Sequence, residues 1–180
     1  MKTLRSIFMS VISNKAKLCL MFLATALAGC MTNPPPSWKP VGEATETEYQ
    51  PYLGIGSGTV TGRASLVNRR GIVVEAAGRT VTLDPATSVG NEWWDKAGKI
   101  WINRSLTPPS PAFSNARRTT VADDHGRFTF AQLPPGKYYV RTEVTWKIGN
   151  YNSIQGGLVG TVVEVRNGAT TDVVLDHELQ

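Results

Sequence analysis

The sequence predicts an all-β fold, two antiparallel sheets packed face to face as a Greek-key sandwich of about seven strands with one long Trp-rich loop. Three observations predict it. Short runs of alternating apolar and polar residues recur along the chain, Gly, Pro and Asn-Gly turn signals separate them, and no helical period interrupts them. The most informative stretch is 119–146. It holds a polar turn (Asp123, Asp124, His125, Gly126), a strand with Phe128 and Phe130 on one face, a Leu133-Pro134-Pro135-Gly136 corner and a second alternating strand. Two strands joined by a rigid corner cannot bury their apolar faces alone, so the rest of the chain must supply the opposing sheet.

With 180 residues, 41% of them hydrophobic, the chain has room for one domain plus extensions. Lys2, Arg5, Lys15 and Lys17 precede the apolar run 18–28, which is too short for a comfortable membrane span, and residues 1–29 therefore read as a secretory signal. Its end, Leu27-Ala28-Gly29-Cys30, is similar to a bacterial lipobox, where processing acylates the cysteine and cleaves before it. That resemblance makes Cys30 the lipidation site and the mature N-terminus, the membrane a partner through that anchor, and the outer membrane the destination, since Met31 rather than Asp follows it. An ordinary signal peptide with a chance cysteine is the alternative. Each acyl CH₂ buried in the bilayer contributes about 0.8 kcal/mol, enough for a multiply acylated chain to stay attached while the domain remains in water.

Loss of the signal takes the formal charge from +5 to about +1, so the basic character of the whole chain does not point to nucleic acid. Cys19 leaves with the signal, and with Cys30 acylated no thiol remains for a disulfide. Residues 30–52 carry Pro34, Pro35, Pro36, Pro40, Glu43, Glu46 and Glu48 and read as an extended tether; packing of Trp38 or Tyr49 as an edge segment is the alternative. The domain then occupies 53–180.

Within it, 57–67 alternates with Val60, Gly62, Ala64 and Leu66 on one face, and Asn68-Arg69-Arg70-Gly71 supplies a turn. Residues 72–75 form a short apolar run, and 79–84 alternates through Val81 and Leu83. The segment 85–118 holds Trp93, Trp94, Trp101, Phe113 and a proline-rich run, and reads as two loops around a brief element at Ile100 and Trp101; connections this long are commonly functional. Residues 149–157 read as a polar hairpin-like connection, 158–166 as a valine-rich strand, Asn167-Gly168 as a hairpin turn and 170–176 as the last strand.

The pattern Asp124-x-Gly126-x-Phe128-x-Phe130-x-x-Leu133-Pro134-x-Gly136-x-Tyr138-x-Val140 resembles the carboxypeptidase regulatory-like domains, over roughly 58–175. The resemblance implies a transthyretin-like sandwich of seven strands and a supporting or binding role rather than catalysis. The Trp-rich insertion departs from that pattern.

Chemistry-bearing residues are few. His125 and His177 lack any helix with paired His/Glu ligands and read as surface histidines, not zinc ligands. Asp123 and Asp124 before Gly126 lack the alternating oxygens and distal Glu of a calcium loop and read as a plain turn. Glu92 and Asp95 flank Trp93 and Trp94, but glycoside hydrolysis also needs two carboxylates at a set separation in a cleft. Arg117, Arg118 and Arg127 read as a solvated rim rather than a patch for an acidic partner. No catalytic residue, metal site or cofactor is expected. The functional expectation is an envelope lipoprotein with a protein-interaction or structural role. The alternative is a carbohydrate- or peptidoglycan-binding module using Trp93, Trp94 and Trp101, whose rings either stack on a ligand or form the loop's own small core.

Overall fold

The structure, a computed structural model, describes residues 46–99, 110–149 and 153–179. The signal, Cys30, the beginning of the tether, Ile100 and Trp101 lie outside the described residues. Among the described residues eight strands form: β1 (Gly58–Val67), β2 (Val73–Glu75), β3 (Thr80–Pro85), β4 (Arg118–Val121), β5 (Arg127–Leu133), β6 (Gly136–Ile148), β7 (Ser153–Val165) and β8 (Thr170–Leu175). They make two four-stranded sheets. One is built around β1, and the other runs in the order β4-β3-β6-β7.

In the first sheet, the Ala64 N–H donates to Gly126 O and its carbonyl accepts from Ala76 N, both at 2.9 Å. The two groups of one extended residue point to the same edge, so β2 takes over from β5 along that edge of β1. The other edge of β1 pairs with β8, in parallel. Period-two alternation explains the core. Val60, Ala64 and Leu66 on β1, with Phe128, Phe130 and Leu175, face Val81, Leu83, Tyr138, Val140, Val144, Val159 and Val163 on the second sheet. Gly62 sits in the inward row of β1 because a Cβ there would lie 2.5 Å from Phe128 Cζ and 2.7 Å from Val173 Cγ2. At the corner where the chain crosses between sheets, the buried Tyr138 hydroxyl donates to Pro134 O at 2.8 Å and ties strand to corner.

The two-sheet sandwich is the fold class expected from the sequence, with three differences of detail. Asn167-Gly168 turns the chain, with Gly168 at φ 69°, but does not close a hairpin. β7 belongs to the second sheet, and β8 crosses to the first because its inward residues, Val173 and Leu175, find their apolar partners there. Residues 153–157, read as connection, extend β7, which pairs with β6 from Val165 opposite Gly136 to Ser153 opposite Ile148.

The third difference is helical. Ser88–Trp93 forms a helix continued by a π turn over Trp94–Gly98, and Pro111–Ala116 forms another. Thr87 Oγ1 accepts from Gly90 N at 3.0 Å and Ser110 Oγ from Phe113 N at 3.1 Å, side-chain caps that satisfy otherwise orphaned amides. Pro111 starts its helix where a missing N–H costs nothing. These pieces cap the outer face of the second sheet. The Tyr139 hydroxyl of β6 reaches Asn91 Oδ1 at 3.0 Å, and Trp94 stacks on the Tyr139 ring at 4.4 Å. Within the stretch read as tether, Glu46–Leu53 is helical and Tyr49 is wholly buried against the cap. Glu48 accepts from Ser88 N at 2.9 Å, and Arg118 donates to the carbonyls of Tyr52, Leu53 and Gly54.

Candidate binding cleft

Trp93 and Trp94 are 1% and 7% exposed. Trp93 packs with Tyr49, Phe113 and Ala97, and the Arg141 guanidinium lies 4.7 Å from its ring centroid. The faces of Trp94 and Tyr139 are engaged with each other. These rings therefore form the small core of the cap, not an open stacking platform, because the outer face of β3 and β6 is itself aromatic and charged and needs covering. The cap also holds a buried ion pair. Arg117 donates to both oxygens of Asp84, at 2.6 and 2.9 Å, with Asp84 1% exposed. Arg141 donates to Gly98 O at 2.6 Å; burial lowers its pKa to about 10, with the Asp84 charge opposing that fall and Arg117 adding to it.

Glu92 pairs with Lys96 at 2.9 Å and Asp95 with Lys99 at 3.5 Å, along the helical turns. Asp123 Oδ1 accepts from His125 N and Arg127 N at 2.8 Å each, and these backbone amides, Arg127's foremost, hold its carboxyl below the usual range. Arg117 is spent on Asp84 and Arg118 on backbone carbonyls, so neither joins Arg127 in a patch. Among the described residues no three His, Cys, Asp or Glu side chains come together as metal ligands.

The open concavity lies elsewhere. β6 and β7 run 13 residues each, and their hairpin overhangs the shorter first sheet. Trp146 continues the inward row Tyr138, Val140, Thr142, Val144 to the edge of the core, against which it packs, and the β1–β2 turn, not a strand, stands opposite. The gap left between the sheets is a cleft of about 390 Å³, lined by Trp146, Asn68, Arg69, Arg70, Gln155 and neighbouring residues, and an adjoining lobe of about 310 Å³ reaches Glu178. Trp146 is only half-buried. It pairs across the ribbon with Gln155 and lies over Gly156, where a Cβ would stand 3.0 Å from its Cζ3.

The wall facing Trp146 is a hydrogen-bonded turn. Asn68 N donates to Ile72 O and Gly71 N to Asn68 O, both at 2.9 Å, while Asn68 Oδ1 accepts from Arg70 N at 2.9 Å and Ile72 N at 3.1 Å. Gly71, at φ 76°, supplies the left-handed residue the turn requires. A half-open indole beside amide and guanidinium groups on a pre-ordered turn suits a ligand with one apolar face and hydroxyl-bearing edges. Sequence reasoning missed this site. Trp146 read as the end of a strand and Asn68 to Gly71 as a turn, and nothing in the pattern says that residues 78 positions apart meet.

Fold and cleft together define a β-sandwich with an open site between its sheets. Over 77% of its length the chain is similar to the whole of a proposed carbohydrate-binding protein of Pseudomonas aeruginosa, at 26% identity and a TM-score of 0.64. A minor pilin of Streptococcus agalactiae aligns over 68% of this chain and 44% of its own, at 15% identity and a TM-score of 0.35, too remote to carry an argument. No protein-family model matches the chain. No curated protein matches it.

Proposed function

We propose that this chain is a non-catalytic, lipid-anchored protein of the bacterial envelope that binds carbohydrate in the Trp146 cleft. The observation that carries the reading is the partly buried indole at the edge of the core, facing the hydrogen-bonded Asn68 turn across an open gap between the sheets. The similarity to the proposed carbohydrate-binding protein supports it. A pyranose presents C–H groups on one face and hydroxyls at its rim, the complement of an indole bordered by amides and guanidiniums. A binding rather than hydrolytic role fits the acids present: Glu178 is the one carboxylate lining either lobe among the described residues, and glycoside hydrolysis takes two.

The lipobox-like Leu27-Ala28-Gly29-Cys30 supports anchoring at Cys30, and the motif around Gly126, Phe128 and Tyr138 supports a carboxypeptidase regulatory-like ancestry for the sandwich. Tyr52 packs at the Gly136 end of β6, and the cleft lies ten residues on, at Trp146, about 33 Å along the strand. A protein-interaction role has its own support in the exposed Val67, Ile72, Val73, Ile148 and Ile154 around the same end.

The test is retention of the full chain on immobilised envelope polysaccharides, compared with Trp146→Ala. Loss of stacking should weaken binding roughly tenfold, about 1.4 kcal/mol. Absence of any glycan retention, or retention indifferent to Trp146→Ala, would defeat the carbohydrate reading and leave the apolar rim and a protein partner in its place.

A further inference from the structure

We infer that the ligand of this cleft is an anionic glycan, held by Arg69 and Arg70 while its ring stacks on Trp146; the inference rests on the carbohydrate reading above. The charge around the cleft is one-sided. Arg69, Arg70 and Lys147 line it, and the single acid, Glu178, stands in the adjoining lobe beside Gly157. Among the described residues none of the three cations has an ion-pair or side-chain hydrogen-bond partner, in contrast to Arg63, Arg117 and Arg118, which are engaged. A near-neutral domain thus keeps three uncommitted cations at one end, against an aromatic ring.

The turn that carries the arginines is also pre-ordered. The four hydrogen bonds around Asn68 fix the backbone that carries both of them, so a ligand does not have to order the turn as it binds. A guanidinium offers a planar fork that matches the two oxygens of a carboxylate and equally those of a sulfate or phosphate ester. A uronic acid or a sulfated sugar seated on Trp146 projects such a group from its ring edge toward the facing turn. Neutral sugars gain the stack but leave the forks unmatched. Exposed charge contacts are screened by salt over about 8 Å at physiological ionic strength, whereas stacking is not, and this separates the two contributions.

The experiment uses the full chain and three probes of equal length: oligogalacturonate, its carboxyl-reduced neutral counterpart and a sulfated oligosaccharide, each measured by calorimetry at low and high salt. Oligogalacturonate is expected to bind about tenfold more tightly than the reduced form at low salt. That margin should close at high salt and in Arg69→Gln/Arg70→Gln, which should weaken uronate binding about tenfold more than neutral binding and leave the unfolding midpoint unchanged. Comparison of the uronate and sulfate probes identifies which anion the forks prefer. Equal affinity for charged and neutral probes, or a margin that survives Arg69→Gln/Arg70→Gln, overturns the anionic inference; if Trp146→Ala still abolishes binding, the carbohydrate reading stands without it. No binding of any probe removes both.

Discussion

Substituting Asp84 by Asn tests whether the helical cap is held by charge as well as by packing. Asp84 is 1% exposed and receives both hydrogen bonds of the Arg117 fork, while Arg141 lies close enough for its own charge to be favoured by Asp84 and disfavoured by Arg117. Neutralising the carboxylate leaves the Arg117 and Arg141 charges repelling each other without the anion that offsets them. Breaking a buried pair costs about 3–5 kcal/mol, but the Arg117 side chain is 21% exposed and an amide still accepts one hydrogen bond, so about 2–3 kcal/mol is expected. For a domain of this size that is a fall of roughly 6–10 °C in Tm. Thermal unfolding followed by tryptophan fluorescence measures it, because Trp93 lies against both arginines. Asp84→Asn/Arg117→Gln should recover part of the loss, since the repulsion left by the first substitution is removed by the second. An Asp84→Asn protein that melts with the parent, or a double variant whose loss is the simple sum, would refute the argument.

Alkaline pH should unfold the domain. Burial raises the phenols of Tyr49, Tyr52 and Tyr138 above the ordinary value of about 10, so their contribution is complete below that pH and is lost as pH climbs toward the folded values. Arg141 works in the opposite sense, since its folded value of about 10 lies below the unfolded one, but it is one group against three. Phenolate absorbance should therefore rise together with the unfolding signal; phenols titrating ordinarily in the folded protein would contradict it. Gly62→Val drives a side chain into Phe128 and Val173 and should destabilise by about 2 kcal/mol in urea titration, while an unchanged midpoint would mean that the sheets part easily there. Gly98→Ala meets Trp93 Cε3 at 2.8 Å and should loosen the cap by about 1–2 kcal/mol, visible as a shifted tryptophan emission in the folded state.

Several parts of this arrangement were legible because they are local. Alternation placed Val60, Leu66, Phe128, Phe130, Tyr138 and Val140 inward, and each is buried. The caps at Thr87 and Ser110 went unread, because the tryptophans and prolines around them read as an irregular loop. The tether's Tyr49 illustrates the limit of composition. Proline and glutamate describe its surroundings, whereas its burial is decided by Phe113, 64 positions away.

By itself the sequence determined most of the strands, their inward faces and the corner at Pro134, because these depend on side-chain alternation and on turn residues within a few positions of one another. Only the tertiary structure decided that β8 lies parallel to β1, that the Trp-rich segment closes over Asp84 and Arg141, and that β6 and β7 overhang their opposing sheet. Those outcomes follow from which distant apolar faces and charges find each other, and the overhang that opens the Trp146 cleft depends on the relative lengths of strands whose pairing no local pattern specifies.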